Sequence, residues 1–188
     1  MKEVTQKNFG WVIAYVVPGL VTLWGVSFFS ATVKVWLTSA NGASPSVAGF
    51  LYVTLASLAA GLTVGAVRSI VIDPLHHWTG IPKPELDFSD FQAKFWAFNQ
   101  IVEGHYRYYQ FYAHMAIAVL FVFAAMIASG MSPEGDRERV WISVGVGLLE
   151  LVLVASSREA VRTYYARASD LLGTHHGEEI EAGKRARW

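Results

Sequence analysis

Apolar residues along this chain gather into four uninterrupted blocks instead of recurring at the spacing of an amphipathic helix or alternating as in a half-buried strand. Each block is long enough, or nearly so, for the roughly 30 Å hydrocarbon core of a bilayer, which takes about 20 residues of helix. The blocks cover residues 11–33, 47–67, 111–129 and 140–156; none contains Lys or Arg, and only the last contains a carboxylate, Glu150. The pattern predicts an all-α integral membrane protein with four transmembrane helices. The apolar core of the first block exceeds that of a cleaved leader and no small-x-small site follows it, so it reads as a retained anchor.

The segments between the blocks divide the chain further. Residues 38–46, with Asn41-Gly42 and Pro45, and residues 130–139, with Pro133 and Gly135, read as short turns too small to house a domain. The connection over 68–107 has two parts. Asp73-Pro74, Gly80, Pro82 and Pro84 predict an irregular, helix-poor first part. Ser89-Asp90-Phe91-Gln92 then matches a capping box, and Phe91, Phe95, Phe98 and Val102 fall on one helical face. A helix starting near Asp90 is expected to run into the third span, with Gly104 as the one candidate break. Its apolar stripe either lies on the membrane surface or packs in a bundle. The fourth span is expected to continue to Leu172, where Gly173 is a natural stop, and the polar residues 174–188 are expected to be disordered. The organisation is thus a first transmembrane hairpin (1–67), a loop with an amphipathic helix (68–107), a second hairpin with an inward extension (108–172) and a tail (173–188).

Charge fixes the orientation. The net charge of the 188 residues is zero, but its distribution is not even. With four spans, one side holds Lys2, Lys7, Arg68, Lys83, Lys94, Arg107, Arg158, Arg162, Arg167, Lys184, Arg185 and Arg187, against Lys34, Arg137 and Arg139 on the other. Lys and Arg near helix ends stay preferentially in the cytoplasm, so both termini are expected inside a cell membrane, with cytoplasmic helical extensions of the third and fourth spans. Trp11, Trp36, Trp141, Tyr108, Tyr109 and Tyr112 sit where interfacial aromatics belong. A mean hydropathy of +0.34 agrees with a membrane protein. The absence of cysteine excludes disulfides, thiolate metal sites and cysteine nucleophiles.

The candidate chemistry is sparse. Glu150 is ionisable in mid-span, which costs at least ~2.5 kcal/mol unless the side chain faces the bundle interior or water. Its helical face carries Ser143, Gly147, Val154 and Ser157, mostly small or polar, and reads either as a pore or cavity lining or as a hydrogen-bonding seam between helices. In the second span Ser57, Gly61 and Gly65 line one side and suit close helix packing, within or between subunits. His114 on the third span is either a pH-sensitive gate or the donor of a fixed hydrogen bond. Arg68, Arg158, Arg162 and Arg167 form a basic inner rim suited to anionic headgroups, a phosphate-bearing ligand or an anion vestibule, and equally demanded by topology. A ring of Arg158 and Arg162 around an inner mouth would favour anions. His76-His77 and His175-His176 are adjacent pairs whose side chains diverge on a helix, and no nucleophile elbow, phosphate loop or HExxH is present, so no enzyme, cofactor or metal is expected.

Four spans, short outer loops and inward extensions of the third and fourth spans resemble the small membrane effectors of bacterial antiphage operons, such as those of the Kiwa and Hailong systems. The resemblance implies a homo-oligomer that alters membrane permeability under the control of a soluble regulatory protein or an anionic ligand on the cytoplasmic side. The alternative is a non-conducting anchor or regulatory subunit of a larger complex.

Overall fold

A computed structural model of the chain describes residues 10, 12–38, 47–89, 91–131 and 135–173. Among them every regular element is helical. A π-helical turn (Val12–Val16) leads into α1 (Val17–Ser27); α2 (Ala31–Thr38) and α3 (Val47–Trp78) follow. α4 (Phe91–Ile101) passes through a second π turn (Val102–Tyr106) directly into α5 (Arg107–Ala128), and α6 (Asp136–Leu172) completes the fold. Three helical stretches are long and apolar enough to cross a membrane: Gly49–Trp78, Phe91–Ala128 and Asp136–Leu172.

The first apolar block departs from its expected single span. Its helical part, Val12–Ser27, is shorter than the other three, and the chain turns over Phe28–Ser30 before α2 begins. Ser27 Oγ donates to Trp24 O at 2.6 Å, and Ser30 Oγ accepts from Val33 N at 3.4 Å as the N-cap of α2. Two serines three residues apart thus close one helix and open the next, a signal hidden inside a continuous apolar run.

α3 is longer than expected, running through Asp73-Pro74 to Trp78 where an irregular connection was predicted. Pro74 withholds one helical N–H, a defect of about 3 kcal/mol in a helix interior. Side-chain contacts of the last two turns with α5 and α6 hold the segment in place despite it. Gly80, at φ +94°, then ends α3: its N–H bonds His77 O at 3.2 Å and Ile81 N–H bonds His76 O at 3.1 Å, the paired bonds of a Schellman motif. Ile81, carried inward by that turn, is buried with Tyr109, Ala113 and Val161.

The helix from Phe91 through both α4 and α5 and the helix ending at Leu172 follow the predicted course. Gly104 lies within the second π turn, so the expected break is a change of winding and not an interruption. α6 ends at Gly173, where the backbone turns extended while its N–H still bonds Ser169 O at 2.6 Å; a Cβ there would lie 2.4 Å from that oxygen, so the position suits glycine. The expected capping box is replaced at its backbone donor, because Ser89 N–H bonds Asp87 Oδ1 at 2.8 Å where the Gln92 side chain was expected, and the helix starts at Phe91. Asn41, Gly42, Pro45 and Pro133 of the outer turns and the tail over 174–188 lie outside the described residues.

α1 packs between α3 and α5, and α5 pairs antiparallel with α6, which also receives α4. The connection after α3 straps across the C-terminal end of α6: Asp87 N–H donates to Leu172 O at 2.7 Å, and Lys94 Nζ reaches Leu171 O at 2.8 Å.

Candidate functional site: a buried polar cluster on α3, α5 and α6

The polar groups of the bundle meet around the N-terminal turn of α1 and the C-terminal half of α3. Pro18 has no N–H, so the carbonyl of Ala14 four residues earlier lacks its α-helical partner, and the chain winds as a π turn there. His114, fully buried on α5, supplies the missing donor through Nδ1 at 2.7 Å. Its ring is thereby held as the Nδ1–H tautomer beside the Tyr15 ring at 5.1 Å, and one turn away Gln110 Nε2 donates to Tyr15 Oη at 3.0 Å. His114 Nε2 faces Gly65 and has no hydrogen-bond partner among the described residues.

Close helix approach brings these groups together. A Cβ on Gly19 would fall 1.8 Å from Ser57 O, and one on Gly61 would fall 2.0 Å from Tyr15 O. Ser57, Gly61 and Gly65 therefore pack against the N-terminal segment within one subunit. Ser57 is buried and its hydroxyl lacks a partner among the described residues.

Three helix turns further along α3 lies an ionic knot. Arg68 is buried, its Nε 3.4 Å from Asp73 Oδ1 and its guanidinium over the rings of Tyr109 at 5.2 Å and Tyr106 at 5.9 Å. Tyr109 donates to the same Asp73 oxygen. His76, also buried, pairs its Nε2 with Ser157 Oγ at 3.0 Å beside a small cavity lined by Ile72, Leu75, Ala113, Ala116 and Val154. His77 points elsewhere, towards Asp73 O and the Tyr165 ring, so the adjacent histidines share no site. Arg158 donates to Thr79 O at 2.7 Å and ties α6 to the start of the strap.

No family model, curated protein or solved structure matches this chain.

The candidate residues read from sequence divide accordingly. His114, Ser57, Gly61, Gly65 and Arg68 all join the cluster, Arg68 as a buried ion-pair partner and not as part of an exposed rim. Arg158, Arg162 and Arg167 remain exposed on α6. Ser143 and Gly147 are exposed too, with open space around Gly147, whereas Ser157 on the same predicted lining is buried against His76. Glu150 is half-buried; both carboxylate oxygens are shielded and have no hydrogen-bond partner among the described residues. Asp73, His76 and Tyr109 were missed. Their partners are 36 to 81 residues away in the chain, and the one local hint was the five-residue interval between Arg68 and Asp73.

Proposed function

We propose that the chain is the subunit of a homo-oligomeric membrane pore with four spans and both termini in the cytoplasm. The single observation that carries this reading is Glu150. A carboxyl inside a span needs water, a donor or a counter-charge, and the described subunit offers it none. Just 11% of the apolar window of α6 is buried within the subunit, and the exposed side beyond Glu150 holds Ser143, Gly145 and Gly147. Several such helices side by side would line an aqueous path, and a rotamer change brings the half-exposed Glu150 to it. The architectural resemblance to antiphage effectors supplies a setting, in which a soluble protein or anionic ligand at the inner face controls opening.

Purified protein in planar bilayers is expected to give discrete conductances that Glu150→Gln alters. A monomer in several mild detergents, silent in bilayers, overturns the reading. The placement of the ends is tested separately, by labelling single cysteines introduced near each terminus in sealed vesicles.

A second reading, a non-conducting anchor or regulatory subunit, is favoured by the internal use of Arg68 and Ser157, which takes one member each from the proposed rim and lining. Co-purification of a soluble protein with no change in membrane leakage would support it over the pore.

A further inference from the structure

The last three turns of α3 carry their polarity the wrong way round for a helix in water. Arg68 and His76 are buried and Asp73 half-buried, while the opposite side presents Ile70, Val71, Pro74, Leu75 and Trp78. Ile70 is 74% exposed and Trp78 86%. The two polar residues exposed among them, Ser69 and His77, bond back to Ala66 O and Asp73 O of the same helix. Charged groups inside and large apolar groups outside are what a helix solvated by hydrocarbon requires. The sequence pattern, in contrast, ends this span at Val67 and leaves Arg68 in the cytoplasm.

α6 supplies an independent ruler. Between Arg139 and Arg158 every exposed residue is uncharged, Glu150 being half-buried, over about 28 Å of helix. That length matches the roughly 30 Å hydrocarbon core of a bilayer, so one edge of the apolar layer falls at Arg158. Two contacts carry this level across to α3: His76 Nε2 meets Ser157 Oγ at 3.0 Å, and Arg158 donates to Thr79 O at 2.7 Å. The edge therefore crosses α3 between His76 and Thr79, where Trp78 stands as an interfacial aromatic. Arg68 lies about 12–16 Å of helix inside that edge, and Asp73 about 4–9 Å.

We propose that α3 faces lipid acyl chains as far as Trp78, and that the knot of Arg68, Asp73 and Tyr109 is held within the hydrocarbon layer instead of at its cytoplasmic surface. The partners of Arg68 fit that depth: a carboxylate and two aromatic faces, all supplied from within the bundle. Lipid suits the outer face better than a neighbouring helix does. Helices that meet in a membrane do so through small residues, as Gly61 and Gly65 do on the inner side, whereas Val67, Val71, Leu75 and Trp78 form a bulky exposed ridge. The proposal rests on the membrane placement in the proposed function, and on neither oligomer nor conduction.

The chain has no cysteine, so a nitroxide can be attached at one introduced residue of the full protein in phospholipid vesicles. Collisions with oxygen, which concentrates among acyl chains, and with a nickel chelate confined to water report what surrounds it. Labels on Ile70→Cys and Val71→Cys are expected to match one on Leu55→Cys, exposed further up α3. All three should show oxygen collisions severalfold above, and nickel collisions severalfold below, those of Lys83→Cys in the strap. Nickel-accessible labels at 70 and 71 beside an oxygen-rich Leu55→Cys overturn this proposal alone; a Leu55→Cys label in water as well refutes the membrane placement beneath it. Few collisions with either reagent at 70 and 71 mean that protein covers the face, and also overturn it.

Discussion

A single proline decides the role of His114. Because Pro18 strips the Ala14 carbonyl of its helical partner, removing His114 should leave a buried acceptor bare, at a cost of about 1–3 kcal/mol. His114→Ala is expected to lower unfolding stability in detergent by that amount, and by clearly less in a Pro18→Ala background, where the backbone can supply the N–H itself. Equal losses in both backgrounds would show that the histidine acts otherwise. Arg68 makes a second case. Asp73→Ala leaves a buried guanidinium without its half-buried carboxylate, a loss of about 1–3 kcal/mol. The double change Arg68→Met, Asp73→Ala is expected to cost less than Asp73→Ala alone in the same assay. His114 was legible in the sequence as an ionisable side chain within an apolar block, and Gly61 and Gly65 as small residues four apart on one helical face. The triad of Arg68, Asp73 and Tyr109 was not, since one-dimensional spacing cannot show a hydrogen bond between helices.

At the scale of elements, the legible parts were those set by local chemistry. Uninterrupted apolar and helix-compatible residues gave the run from α4 to α5 and the length of α6. Where local and tertiary preferences conflict, the reading of the sequence failed: Pro74 argued for a break, yet the bonds of Asp73 and His76 to α5 and α6 keep the helix intact to Trp78. The reverse holds at Phe28–Ser30, where an apolar run conceals a turn made by two serine hydroxyls. The end of α3 is open to a clean test. Gly80 sits at φ +94° with open space around it, so Gly80→Ala is strained by conformation alone and should cost about 1–2 kcal/mol. Thermal unfolding with Gly80→Asn beside it checks the cause, since asparagine tolerates left-handed geometry and should lose less.

For the whole molecule, the bundle divides unequally. α1, α3 and α5 form a glycine-locked group with polar contacts inside it, while α6 packs on α5 through its C-terminal half and leaves its N-terminal half largely exposed. This asymmetry makes α6 the element that lines a pore in the proposed assembly. With Arg158 and Arg162 exposed at its inner end, reversal potentials in asymmetric chloride salt are expected to show anion preference, reduced by joint Arg158→Gln and Arg162→Gln. Cation preference unmoved by those changes would remove the selective role of the arginines.

The bond between His114 and Ala14 also bears on the order of biosynthesis. The two residues are 100 positions apart, so in the proposed four-span arrangement the carbonyl that Pro18 exposes would reach the bilayer long before its donor has been synthesised. Until α5 follows, a nascent first hairpin so placed would carry one bare acceptor in lipid. Membrane chaperones and proteases that sense unpaired polar groups would thus meet a mark of incompleteness, erased when the third apolar helix docks.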